Sequence, residues 1–229
     1  FISGGGKADV YVTMVRTVDD GAGGISCIAV PKDAPGISFG AQERKMGWNS
    51  QPTAQVLFDD CRVPVENLVG NEGDGFKIAM MGLDGGRLNI GACSIGAARA
   101  ALELAQDYVA DRKQFGKPIG SFQALQFKLA DMATELEAAR LMIRQAAAKL
   151  DAKDPEATLY CAMAKRFATD VGFNVCNEAL QLHGGYGYLR DFPLERLVRD
   201  TRVHQILEGT NEIMRVVIAR KLADGQGRQ

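Results

Sequence analysis

The chain has 229 residues, 46% of them hydrophobic, enough to bury a substantial core in one or two domains. Its 27 basic and 28 acidic residues are mixed along the length for a net charge of −1, which excludes the basic stripe of a nucleic-acid binder and an acidic tail. Five cysteines without a Cys-x-x-Cys pair are expected to be buried thiols in a reducing compartment, and two histidines, His183 and His204, are too few for a zinc site.

No apolar run is long enough to span a bilayer, so no membrane segment is expected. The opening residues Phe1 to Gly6 lack the charged and apolar regions of a signal peptide, and the chain starts as if within a domain. From Asp9 to about Pro64 the pattern is β-rich. Val10–Val15 and Ile25–Val30 flank the glycine-rich stretch Asp19–Gly24 and predict a hairpin. Runs at Gly36–Phe39 and Ala54–Phe58 bring the expectation to four or five strands, too few to close a barrel.

Beyond the linker Val69–Gly75 helix formers dominate, so the chain divides into residues 1–70 and 71–229. Ala and Gly are dense between Gly91 and Ala101, which suggests a helix that a neighbour approaches closely. Leu125, Leu129, Met132 and Leu136 form one apolar stripe on a helix running to about Leu150. Asp154 and Pro155 supply a cap and a first-turn proline for the next helix, whose stripe holds Leu159, Met163, Phe167 and Val171. That helix is expected to stop at Gly184-Gly185, where positive φ carries no Cβ clash. Long helices on short loops predict an up-and-down four-helix bundle, and the fold class is α+β.

Three segments carry chemistry. Arg112 to Ile119 interrupts the helices with cations, one aromatic and a Gly-Lys-Pro turn, a combination able to hold a pyrophosphate and a planar ring. Alone, such a loop is more often a solvated basic surface. Gln181 to Tyr188 offers glycines whose bare backbone lets a ligand come close, although a lone Gly-Gly is usually a helix stop. Glu208 lies between Ile206-Leu207 and a Gly-Thr turn at a fresh helix start. A carboxylate there is expected to face a cleft whose desolvation raises its pKa toward a general base, where position alone would suggest a cap or a surface charge.

Together with Phe1-Ile2-Ser3, Gly47 to Thr53 and Leu83-Asp84-Gly85-Gly86-Arg87, these segments resemble the acyl-CoA dehydrogenase family of flavoproteins, in the family's order and over essentially the whole chain. The resemblance implies FAD as cofactor and Glu208 as the base that takes the α-proton of an acyl thioester while the β-hydrogen leaves as hydride. It implies that Arg112, Gln114, Phe115, Phe122 and Gln123 hold the FAD of a neighbouring subunit. Gln181, Leu182, His183, Gly184 and Gly185 would receive the far end of that cofactor. Phe1, Ile2 and Ser3 match a flavin-facing position, and Thr210, Asn211 and Glu212 match contacts at the turn after the base. Many relatives carry Gln at the position of Glu212, where an anion is less welcome near a diphosphate. Asp84, Gly85, Gly86, Arg87, Gly209 and Arg220 match substrate-facing positions. Some relatives place their glutamate immediately before the arginine; this chain has Gly86 there and keeps Glu208.

The wording is closest to members acting on a short branched acyl-CoA, with an electron-transferring flavoprotein as acceptor and a dimer-of-dimers homotetramer as assembly. The resemblance places the compartment in the cytoplasm of a bacterium or the mitochondrial matrix of a eukaryote. Family members carry a helical domain and part of the β-domain before the position of Phe1, so the chain looks like their C-terminal part. A straight-chain relative, a catalytically silent flavin-binding or assembly module and a flavin monooxygenase on the same scaffold remain alternatives; the last has no need for Glu208.

Overall fold

A computed structural model describes residues 1–226, so the last three residues of the expected helical block lie outside the described residues. The chain forms two compact units, Phe1–Leu83 and Asp84–Gln229.

The first unit contains β1 (Ile2–Ser3), β2 (Val10–Arg16), β3 (Ile25–Pro31), β4 (Ile37–Phe39), β5 (Thr53–Ala54) and β6 (Val56–Phe58). They pair antiparallel as β1 with β5, β2 with β3 and β4 with β6. The expected hairpin is therefore present, with Tyr11 opposite Val30 and Met14 opposite Cys27. Its loop closes where the Thr17 N–H donates to the Gly24 carbonyl (2.9 Å) and the Gly24 N–H to that of Asp20 (2.8 Å). The ladders are separate two-stranded pairs, and the two-residue β1 was too short to leave a periodic signal. Tyr11, Ser26, Cys27, Val30 and Ala54 are buried, whereas Val10, Val12 and Met14 present an exposed apolar row. The Tyr11 hydroxyl accepts from the Gly6 N–H (2.9 Å) and donates to the Gly4 carbonyl (3.2 Å), tying the N-terminal turn to β2.

The helices are α1 (Gly75–Asp111), α2 (Gln123–Asp151), α3 (Ala157–His183), α4 (Leu194–Arg202) and α5 (Asn211–Gln226). The first unit includes the opening turns of α1, beyond the expected break at residue 70. The four-helix expectation omitted α4, a nine-residue helix. Apolar positions of α1, α2 and α3 make one core with Leu194 of α4, including Leu102, Ala105, Leu136, Ile143, Val171 and Val175. Met132 and Leu136 of the α2 stripe are buried, and Leu125 and Leu129 pack against that core.

Small residues set how closely α1 is approached. A Cβ at Gly91 would collide with Ile143 Cδ1, and one at Gly172 would lie 2.8 Å from the Ser94 Cβ and 3.0 Å from its carbonyl oxygen. Real side-chain carbons do not pack so tightly. At the start of α3 the expected cap, Asp154, lies two residues outside the observed cap position, Glu156. Asp154 Oδ1 accepts from the Glu156 N–H (2.8 Å) and the Asp154 carbonyl from the Ala157 N–H (2.9 Å), so Asp154 organises the turn that leads into the helix. α3 ends as expected, with Gly184 at φ 58°.

All five cysteines are free. Cys27, Cys161 and Cys176 are buried, and burial pushes the thiols of Cys161 up to about 11 and Cys176 up to about 12. Cys93 is exposed and Cys61 half-buried, which corrects the expectation of five buried thiols. Among the described residues no helix is long and apolar enough to cross a membrane.

Candidate functional site

Glu208 stands in the connection between α4 and α5. After α4 a 3₁₀ turn, Val203–Gln205, carries the backbone round, with the N–H groups of Ile206 (2.9 Å) and Leu207 (3.0 Å) both donating to the Val203 carbonyl. Glu208 (φ 56°) and Gly209 (φ 86°) then take two successive left-handed conformations. Glycine adopts this region freely, whereas a non-glycine residue there carries strain of roughly 1–3 kcal/mol and persists only when its surroundings hold it. Thr210 closes the turn as the cap of α5: its hydroxyl accepts from the Ile213 N–H (3.3 Å) and its carbonyl from the Met214 N–H (2.9 Å).

This geometry turns the Glu208 side chain onto α1. A Cβ at Gly86 would collide with Glu208 Oε2, so the carboxylate occupies the space a side chain at Gly86 would fill. The two positions at which the resemblance allows a catalytic glutamate thus meet at one point. Glu208 is half-buried and its neighbour Ile206 is 51% exposed, so the carboxylate is less enclosed than its apolar neighbours suggested.

Beside Gly86, the half-buried Asp84 pairs with the buried Arg87, with Nη1 donating to Asp84 Oδ1 (2.7 Å) and the Thr158 hydroxyl to Oδ2 (2.7 Å). Arg87 Nε is buried without a hydrogen-bond partner among the described residues. A Cβ at Gly85 would meet nothing within 4 Å. Arg220 is exposed on α5, nine residues beyond Asn211 and so roughly 14 Å along that helix from its start; it does not join this cluster.

Asn211 has its side chain committed inside the fold. Its Nδ2 donates to Asp170 Oδ1 (2.8 Å) and Thr169 Oγ1 (3.0 Å), and its Oδ1 accepts from Lys165 Nζ (2.8 Å). Glu212 is exposed in the first turn of α5, where a carboxylate complements the helix dipole. That is a local reason for an anion at this position.

Lys165 went unnoticed in the sequence because, next to Arg166 and in a helix that also carries Asp170 and Glu178, it reads as one of several surface charges. It is fully buried beneath the Glu208 turn and donates to the Gly209 carbonyl (2.8 Å). Burial pulls its pKa down to about 8, against the opposing pull of Asp170, Glu208 and Glu212. The pairing of Ser94 with His204 also left no local signal, because the two are 110 residues apart in the chain. They are buried and joined Nδ1 to Oγ at 2.6 Å, and burial presses the imidazole down to about 4.

A second group lies at the other end of α1. The expected Arg112–Ile119 loop is a minimal hairpin of β7 (Lys113–Gln114) and β8 (Lys117–Pro118). Phe115 (φ 53°) and Gly116 (φ 81°) form its tip, rather than Gly116-Lys117-Pro118. Phe115 is 91% exposed and meets Phe122 edge-on at 6.0 Å, and Lys117 Nζ sits 4.3 Å over the Phe122 ring. Gln123 opens α2 beside it.

Arg112, Gln114 and Ile119 line a cleft of about 380 Å³ with Tyr108, Tyr186, Leu189 and all five residues from Gln181 to Gly185. The structure therefore brings the two expected cofactor segments together. His183 faces inward, stacked on Tyr108 at 4.2 Å with Nδ1 bonded to the Ala179 carbonyl at 2.8 Å. The Arg112 guanidinium lies 5.6 Å from the Tyr186 ring centre. Among the described residues no carboxylate lines the cleft, and a Cβ at Gly184 or Gly185 would meet none of them within 4 Å. A guanidinium, two carboxamides and open glycine backbone suit an anionic dinucleotide, so the residues present fit FAD. In the first unit, Ile2 and Ser3 pair with β5 while Phe1 is 92% exposed.

Residues 1–61 match the family model for the acyl-CoA dehydrogenase middle domain and residues 73–223 that for the acyl-CoA dehydrogenase C-terminal domain. The chain belongs to the acyl-CoA dehydrogenase family. It is 60% identical over 224 residues to a mitochondrial isobutyryl-CoA dehydrogenase of Dictyostelium discoideum, covering 97% of this chain and 54% of that protein. The corresponding protein of Bos taurus is also 60% identical, with 97% and 53% covered. The solved butyryl-CoA dehydrogenase of Megasphaera elsdenii superposes with a TM-score of 0.94 at 44% identity, over 97% of this chain and 58% of that one. The chain thus spans about half the length of the curated relatives it matches.

Proposed function

We propose that this chain is the base-bearing and flavin-holding part of an FAD-dependent acyl-CoA dehydrogenase that acts on a short branched acyl-CoA, with Glu208 as the base. The observation that carries the reading is the left-handed Glu208-Gly209 turn, which holds a carboxylate against bare helix at Gly86. Strained non-glycine residues cluster at active sites, and unlike Asp60 and Lys153, which also have positive φ, Glu208 holds its carboxylate against a helix glycine. Glu208 takes the α-proton, and the Arg87–Asp84 pair lines the acyl-CoA side of the same site. FAD, when bound, supplies the acceptor for the β-hydride. Arg112, Gln114, Phe115, Phe122, Gln123 and the Gln181–Gly185 segment hold it. Proteins 60% identical carry the name isobutyryl-CoA dehydrogenase, which supports the branched substrate over the straight-chain alternative.

Gly86 and Tyr108 are 22 residues apart on α1, so the Glu208 end and the cleft end are separated by roughly 33 Å along the helix. That distance supports flavin sites completed across subunits, and with them a dimer-of-dimers homotetramer. An electron-transferring flavoprotein is the proposed acceptor; a solved chain whose description names such a flavoprotein matches at a TM-score of 0.94. The proposed compartment is the cytoplasm of a bacterium or the mitochondrial matrix of a eukaryote.

The test uses the full-length holoprotein under anaerobic conditions, titrated with isobutyryl-CoA and with butyryl-CoA. Flavin bleaching is expected with isobutyryl-CoA first, and preference for butyryl-CoA would move the substrate to the straight-chain class. Glu208→Gln is expected to keep flavin and lose about 10²–10⁴ in turnover, the usual contribution of a positioned base. Unchanged turnover would remove Glu208 from that role.

A further inference from the structure

Lys165 poses a question that packing does not answer. It is completely buried in α3, a helix otherwise lined at this level by Cys161, Ala162, Ala164, Ala168 and Thr169. A buried ammonium is costly without a closely paired anion, and an apolar side chain of similar volume commonly serves a core as well or better. Lys165 donates instead to the turn that follows Glu208 and to the start of α5: the Gly209 carbonyl and Asn211 Oδ1, each at 2.8 Å.

Those two acceptors bracket the residue that caps α5. Gly209 ends the left-handed pair, and Asn211 is itself braced against α3 through Thr169 Oγ1 (3.0 Å) and Asp170 Oδ1 (2.8 Å). One cation therefore anchors the turn on both sides of Thr210. The carbonyl it holds belongs to the peptide joining Gly209 to Thr210, one peptide beyond Glu208, so the lysine fixes the far side of the left-handed pair that sets the carboxylate against Gly86.

Resting on the assignment of Glu208 as base, we infer that Lys165 is a positioning residue for it, pinning the Gly209 carbonyl so that the carboxylate is held over Gly86. Its role is exerted through Glu208 and not by contact with substrate.

The experiment is a double-mutant cycle in the full-length holoprotein with Lys165→Met and Glu208→Gln, reading flavin content, kcat, KM and the single-turnover rate of anaerobic flavin bleaching by isobutyryl-CoA. Lys165→Met is expected to retain flavin and to lower kcat about 10- to 100-fold, the order of loss that misplacing a reacting group by an ångström brings. KM should stay within about twofold. The double variant should be no slower than Glu208→Gln alone, because a residue acting only through Glu208 has nothing left to position.

Wild-type kcat in Lys165→Met overturns the inference, as does a loss that multiplies with that of Glu208→Gln. If Glu208→Gln itself keeps full turnover, the base assignment has failed, and that arm reports it separately. Lys165→Gln keeps a polar head in the same cavity and is read through the same cycle if the methionine variant does not fold. Failure of both to fold with flavin would overturn positioning in favour of a purely stabilising lysine.

Discussion

On the proposed role of Glu208, the missing methyl group at Gly86 trades helix stability for room at the base. Glycine inside α1 costs the helix roughly 0.5–1 kcal/mol relative to alanine. Its bare backbone nevertheless gives the Glu208 carboxylate a place to rest. Gly86→Ala should therefore raise the stability of the full-length protein by about that amount while displacing the flexible carboxylate and lowering kcat tenfold or more, in the direction of the ~10²-fold cost of such displacements. Denaturant midpoints and steady-state rates on one preparation check both halves. His204 makes a different demand. Burial holds its folded pKa near 4 against an ordinary value of 6.5, so the unfolded chain takes up the proton first. Its contribution is whole above pH 6.5 and is lost as pH falls to about 4, on the order of 3 kcal/mol in all. Urea midpoints measured from pH 7 to 4 should fall on this account, and His204→Gln should flatten the decline.

The contact of α1 with α3 depends on paired small residues. Gly172 faces Ser94, whose hydroxyl meets His204 in the 3₁₀ turn before Glu208. Gly172→Ala would drive a Cβ to 3.0 Å from the Ser94 carbonyl oxygen, which as backbone cannot turn aside. Overpacking of this kind costs about 1–3 kcal/mol, and chemical denaturation should register it. The periodicity of α2 and α3 was readable from the sequence because their apolar stripes recur at three and four residues, and the glycine-rich hairpin loop between β2 and β3 was readable from its turn residues. α4 was not. Nine residues with charges at Glu195, Arg196, Arg199, Asp200 and Arg202 leave too few turns for a stripe to stand out, and the buried Leu194 reports its packed face only in the fold.

The two groups at opposite ends of α1 make the assembly part of the proposed function. Phe115 is nearly naked on the hairpin tip, so removing it should cost the fold less than about 0.5 kcal/mol. On the present reading it meets the cofactor of a neighbouring chain, and Phe115→Ala is expected to lose FAD on dilution or gel filtration at an unchanged melting temperature. Full retention of flavin would remove Phe115 from the cofactor site.

Order of motifs, helix ends and the identity of the base candidate were all legible along the chain, because turn residues, caps and hydrophobic periods are local properties of neighbouring amino acids. Glu208 and the glycine segment after Gln181 stood out that way, whereas Asp84 and Arg87 were marked only by the resemblance to the family. Local pattern carries no record of which helix faces meet. Packing alone sets Glu208 against Gly86, joins Ser94 to His204, and gathers Arg112 and Gln114 into one cleft with Gly184 and Gly185. It also sorts residues of equal sequence prominence. Asn211 and His183 turn inward to brace the fold, while Phe115 and Arg220 stand in the open. Lys165 is the clearest case: in the sequence it is one cation among 27 basic residues, and only the closing of α5 over α3 buries it against the Gly209 carbonyl.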